Sequence, residues 1–216
     1  MINISDLNVN IGNKNILKDI NLIVDDNDII CIFGPSGSGK TTLLKSLSGI
    51  IMYDGKVEPK ILNPSYIFQE PRLVKSMTVI ENLKLINDDI SQINDLISDF
   101  ELDDCANTYC NKLSGGEAQR VNICRALLND YDILFVDEAL NSLDIGLKHR
   151  VIEKMMKYIS AKNKPTILVS HDIYDGINLA NHFVIINDGI ILNDFKKDNL
   201  TKEELYNKIF DILKQI

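Results

Sequence analysis

Residues 29–42 read "IICIFGPSGSGKTT". Ile29 to Phe33 is a continuous apolar run, as expected of a strand buried on both faces, and it stops at a glycine-rich turn. Gly34, Pro35, Ser36, Gly37, Ser38, Gly39, Lys40 and Thr41 fit the pattern G-x-x-x-x-G-K-[ST]. The glycines permit positive φ, so successive amide N–H groups can face one phosphate chain. Lys40 supplies a point charge for β- and γ-phosphates, and the Thr41 hydroxyl suits Mg²⁺. Thr42 is placed to add a further donor. A helix follows from about Thr41 to Ser48, with Gly49 positioned to cap it. Strand, loop and helix in that order are the context a phosphate-gripping P-loop requires.

The flanking patterns extend this into an α/β chain. Leu7, Val9 and Ile11 alternate, as do Ile20, Leu22 and Val24, which predicts an N-terminal antiparallel β region. Tyr66-Ile67-Phe68 reads as a short strand ending at Gln69. Thr78 with Glu81 forms a capping box, and from there to about Leu128 the pattern is mostly helical. Strands resume at Ile133–Val136, Thr166–Val169 and Phe183–Ile186, and Asn187-Asp188-Gly189 turns the chain into Ile190–Leu192. A second capping box, Thr201 with Glu204, opens a tail helix for which a packing role is expected. The expected organisation is one domain over 1–216. Its core and β lobe take 1–77 and 129–216, and an inserted helical lobe takes 78–128. Repeats, low-complexity segments and linkers are not evident.

Two further stretches carry chemistry. "ILFVDE", 133–138, puts Asp137 and Glu138 at the C-terminal end of a buried strand, where ligands bind in open α/β sheets. Asp137 suits Mg²⁺ through water, and Glu138 suits orienting or deprotonating an attacking water. Alone, a strand ending in Asp-Glu is equally a solvated loop. "LSGGE", 113–117, is a Ser114-Gly115-Gly116 turn feeding a helix, a second anion site on one chain.

Composition excludes several classes. With 216 residues, 45% hydrophobic and 25% charged, the chain suits one soluble domain. A formal net charge of −8 argues against nucleic-acid binding, which needs a basic surface. No apolar run approaches the roughly 20 residues of a membrane span, and "MINISDLNVN" has no secretory pattern. Cys31, Cys105, Cys110 and Cys124 lack metal-ligand spacing and read as buried free thiols.

The order of P-loop, Gln69 after a strand, "LSGGEAQR", "FVDE", "NSLD" and "LVSHD" closely resembles the nucleotide-binding subunits of ATP-binding cassette (ABC) transporters, over about residues 2 to 192. The resemblance implies a P-loop NTPase core that binds ATP and Mg²⁺ and hydrolyses ATP. It implies that Gln69 touches Mg²⁺ or the attacking water, that His171 contacts the γ-phosphate, and that Asp144 communicates between paired subunits. It also implies two domains packed head to tail, with Ser114, Gly115 and Gly116 of one covering the γ-phosphate on the other's P-loop. "FQEPRLVKSMTVIENL" is similar to importer ATPases of the nitrate, sulfonate and taurine type. That similarity implies a separate membrane permease, an extracytoplasmic solute-binding protein reached through it, and a place on the cytoplasmic face of the membrane.

Departures from the family pattern are specific. Ile11 stands where an aromatic residue usually stacks on adenine, leaving apolar contact or another holding place for the base. Ala139-Leu140 replaces the usual Pro-Thr, which predicts a more flexible turn. Glu117 replaces the commoner glutamine, and the segment between the P-loop helix and Gln69 is short. Lys40, Asp137, Glu138 and His171 are all retained, so an active ATPase is expected. The alternatives are a soluble ABC-type ATPase of DNA repair or translation, or a nucleotide-dependent scaffold without turnover. Only 73 residues lie between Lys40 and Ser114, with no heptad run, and one cassette is present, which disfavours the first. Retained Glu138 and His171 disfavour the second.

Overall fold

A computed structural model describes residues 1–216. Three strands form a small antiparallel sheet in the order β2-β1-β4: β1 (Ile2–Ile11), β2 (Lys14–Val24) and β4 (Asp54–Glu58). The large sheet has the order β5-β6-β7-β3-β8-β9, built from β3 (Ile29–Phe33), β5 (Pro64–Ile67), β6 (Ile133–Asp137), β7 (Thr166–Val169), β8 (His182–Asn187) and β9 (Ile190–Lys196). Its pairs are parallel except the β8–β9 hairpin, which is antiparallel. Asp188 and Gly189, both at positive φ, make that hairpin's two-residue turn.

Strand alternation distributes the core over two faces. Ile30 and Ile32 of β3 point with Phe135, Ile167 and Val184 toward the small sheet and α1 (Lys40–Leu47), which contributes Leu43, Leu44 and Leu47. Cys31 and Phe33 point the other way, with Leu134, Leu168 and Phe183, toward the remaining helices. Both faces are buried, which is why these strands are apolar without interruption.

The helical stretch contains α2 (Val79–Lys84), α3 (Ile90–Asp99), two short 3₁₀ turns (Asp103–Cys105 and Cys110–Lys112) and α4 (Gly115–Leu128). α4 is buried nearly all round, through Val121, Ile123, Cys124, Leu127 and Leu128. Asn82 of α2 is fully buried, and its amide accepts from Val74 N–H at 2.9 Å and donates to the Val74 and Thr78 carbonyls at 3.0 Å. That bond set ties the chain after Gln69 to α2.

Two helices lie outside the pattern reading. α5 (Ile145–Lys162) buries Val151, Met155 and Ile159 and packs Leu147, Ile152, Met156 and Tyr158 partly against the core, an amphipathic face with its charged residues outward. α6 (Ile173–Leu179) has seven residues and follows β7 directly. Asp99 at the end of α3 accepts from Lys154 and Lys157 and from the Tyr158 hydroxyl at 2.7, 2.9 and 2.9 Å, fastening the helical stretch to α5. The tail helix α7 (Lys202–Lys214) packs on α6 and buries Leu205 and Ile209. All four cysteines are buried free thiols, and no helix is long and apolar enough to cross a membrane.

Candidate functional site

Parallel pairing brings the C-terminal ends of β3, β5, β6 and β7 to one edge, and the segments leaving them build the site. The loop after β3 turns into α1 through Gly39, whose φ of +106 disfavours a side chain. A Cβ there would also meet Leu17 of β2 at 2.6 Å, so the loop can lie against β2 only as glycine. Lys40 Nζ donates to the Gly34 and Pro35 carbonyls at 2.9 and 2.8 Å, folding its stem under the loop. Burial pushes the ammonium below its ordinary range, against the pull of the Glu138 and Asp137 carboxylates.

A cleft of about 420 Å³ opens above the loop, lined by Ile16, Ser36, Gly37, Gly39, Lys40, Thr41, Thr42, Glu138 and His171. Gly34, Pro35 and Ser38 form the back of the loop. Ser38 N–H donates to the Pro35 carbonyl at 3.2 Å, and Gly189 N–H donates to the Ser38 carbonyl at 3.1 Å.

The adjacent carboxylates at the end of β6 have different surroundings. Asp137 is buried, and each of its oxygens accepts a hydroxyl: Oδ1 from Thr41 at 2.8 Å and Oδ2 from Tyr66 at 2.9 Å. Glu138, at φ +50, turns toward the cleft. One carboxylate oxygen lies 2.7 Å from His171 Nε2. The other receives long contacts from the side-chain amides of Asn141 at 3.4 Å and Gln69 at 3.5 Å. The hard oxygens of Thr41 and Asp137 beside the P-loop suit a Mg²⁺ that takes one or two protein ligands and completes its shell with phosphate and water. Gln69 reaches Glu138 rather than this pair.

Gln69 is placed from α4. Gln119 and Asn122 both donate to the Phe68 carbonyl, at 3.2 and 3.0 Å, and Arg125 donates to the Arg72 carbonyl at 2.7 Å. Ser114 is the N-cap of α4 in a complete capping box with Glu117. Ser114 N–H and hydroxyl donate to the Glu117 carboxylate at 2.8 and 2.7 Å, which holds that carboxyl below its usual range. The variant Glu117 thus serves as the cap's second half. Ser114 and Gly115 are exposed, and the amides of Gly115 and Gly116 precede any intrahelical acceptor. None of these three residues lines the P-loop cleft.

Asp144 caps α5, accepting from Leu147 N–H at 3.0 Å. In the Ala139-Leu140 turn both side chains are buried and Asn141 N–H donates to the Glu138 carbonyl at 3.3 Å. Ile11 is half exposed at the end of β1, while Ile16 of β2 offers an apolar surface inside the cleft. Sequence reasoning missed Ile16, Tyr66 and Asn141. Only Asn141 had a local signal, three residues beyond Glu138.

Comparison with known proteins agrees with this construction. The family described as ABC transporter matches residues 17–141, more than half of the chain. The chain is 34% identical over 196 residues to the aliphatic sulfonates import ATP-binding protein SsuB of Corynebacterium glutamicum, spanning 87% of this chain and 80% of that protein. It is 30% identical over 213 residues to the spermidine/putrescine import ATP-binding protein PotA of Fusobacterium nucleatum, spanning 88% of this chain and 56% of that one. In three dimensions it resembles a dimeric ATP-binding cassette in a post-hydrolysis state bound to ADP and Pi, with a TM-score of 0.82 and 24% identity over 93% of this chain and all of that one. The chain belongs to the ABC transporter family, as an ATP-binding subunit with ATPase activity.

Proposed function

We propose that the protein powers import of a solute through a separate membrane permease, and that it works as a pair of identical chains with two ATP shared between them. The observation that carries this reading is the separation of its two anion sites. The P-loop cleft holds Lys40, Thr41, Glu138 and His171, whereas the Ser114-Gly115-Gly116 donors face solvent elsewhere. A second copy placed head to tail gives those donors a phosphate to bind. In each site Lys40 and the loop amides of 34–42 would grip the phosphates, Glu138 would take a proton from water, and His171 and Gln69 would position that water and the γ-phosphate. Thr41 and Asp137, with Gln69 nearby, would hold Mg²⁺, which neutralises phosphate charge when bound.

The segment 78–128, fastened to Gln69 through α4, would act as a lobe that receives the permease. On this reading the protein would sit on the cytoplasmic face of the membrane, with a solute-binding protein as an indirect partner. The solute is not read by this chain, and relatives named for sulfonates and for polyamines share its sequence to a similar degree. Ser114→Arg tests the shared site. ATP binding to the single chain should stay within about twofold of wild type, while turnover falls to background. Equal loss of binding and turnover would overturn the reading.

A further inference from the structure

We propose that Tyr66 is a positioning residue for the Asp137 carboxylate, a role that rests on the proposed assignment of Asp137 to the metal–nucleotide end of the cleft. Tyr66 lies on β5, the strand paired in parallel with β6, one position before the end of their register. Its hydroxyl donates to Asp137 Oδ2 at 2.9 Å, while the Thr41 hydroxyl donates to Oδ1 at 2.8 Å. Hydroxyls from two different elements therefore hold both oxygens of one buried carboxylate. The terminal torsion of an aspartate is broad, so a carboxylate anchored at one oxygen still turns about its last bond. Two anchors fix its plane. Groups that hold a metal-binding carboxylate by hydrogen bonds orient it and tune its affinity.

The phenol is itself held in place. Its ring stacks on Phe68 with centroids 4.2 Å apart, and the Arg72 guanidinium lies 4.0 Å from the Phe68 centroid. The Phe68 carbonyl is gripped by Gln119 and Asn122 of α4. The ring that orients Asp137 is thus part of the segment leading into Gln69, and a shift of residues 68–72 reaches the carboxylate through it.

Tyr66→Phe keeps the ring and its stack and removes only the hydroxyl. Its test pairs it with Asp137→Asn and measures binding of a fluorescent ATP analogue with Mg²⁺ and with EDTA, the Mg²⁺ concentration for half-maximal hydrolysis, and the melting temperature. For Tyr66→Phe the expected result is unchanged binding in EDTA, loss of most of the Mg²⁺-dependent gain in affinity, and a rise on the order of tenfold in the Mg²⁺ requirement. A shift in Asp137→Asn with none in Tyr66→Phe would overturn the role of Tyr66 and leave the Asp137 assignment standing. No shift in either would overturn both. Equal weakening of binding with and without Mg²⁺ in Tyr66→Phe, together with a lower melting temperature, would show a merely structural phenol and also overturn the proposal.

Discussion

Glu138 and Asp137 are neighbours in sequence and opposites in environment. Asp137 is buried, and each of its oxygens accepts one hydroxyl, which fixes the carboxylate while leaving lone pairs free. Glu138 sits at φ +50, in a region that non-glycine residues seldom occupy and that costs on the order of 1–3 kcal/mol. Its backbone N–H donates to the Val169 carbonyl at 3.2 Å, and its carboxylate meets His171, Asn141 and Gln69. Two of those contacts are long, leaving room for a water to compete. That geometry supports the proposed role of Glu138 as a base that exchanges partners. Glu138→Gln keeps the size and removes the basicity. Hydrolysis should fall by about 100-fold or more while ATP still binds. A variant that hydrolyses ATP at the wild-type rate would remove Glu138 from the chemistry.

At the scale of elements, the β8–β9 hairpin is bound to the start of β3 by a charge cluster centred on the buried His182 and Asp28, far along the sheet from the nucleotide edge. His182 Nδ1 lies 3.0 Å from Asp28, its other nitrogen pairs with Asp194, and Lys196 bonds Asp28 at 3.1 Å and Asp25 at 2.6 Å. Burial works against the His182 charge, but the bonds and charges of Asp194 and Asp28 outweigh it and raise the imidazole above its ordinary range. A group raised on folding contributes stability that is complete below its unfolded pKa and fades as pH climbs through the folded value. His182→Ala should therefore cost about 3 kcal/mol at pH 6, and the difference from wild type should shrink toward pH 9. A difference in melting temperature that stays constant or grows over that range would contradict the charged cluster.

The same scale shows what the sequence made legible. The capping boxes at Thr78 and Thr201 are local, and both form; a third, Ser114 with Glu117, forms beside them without having been expected. β7 was legible as a continuous apolar run bounded by polar residues. α5 carries a helical period in Leu147, Val151, Ile152, Met155, Met156 and Ile159, a signal that a reading centred on strands and motifs passed over. Tyr66 and Asp137 stand 71 positions apart and meet only because β5 pairs with β6. Gln119 and Asn122 are likewise polar residues in a buried helix whose purpose appears only once the Phe68 carbonyl is seen.

For the whole molecule, the two phosphate-gripping turns of one chain point to two chains. The P-loop cleft gathers Lys40, Thr41, Glu138 and His171 and opens to solvent. The Ser114-Gly115-Gly116 turn is capped by Glu117 and exposed at Ser114 and Gly115, and the amides of Gly115 and Gly116 precede any intrahelical acceptor. ATP between the two turns would join copies of the chain, and loss of the γ-phosphate would release them, a switch driven by contacts present in one state only. Mass measurement of Glu138→Gln in solution, with and without ATP, tests this most directly when run beside the Ser114→Arg/Glu138→Gln double variant. Glu138→Gln should have the mass of one chain without nucleotide and of two chains with ATP, and the double variant should remain single in both. A Glu138→Gln chain that stays single in ATP, or a double variant that pairs equally well, would contradict the shared site.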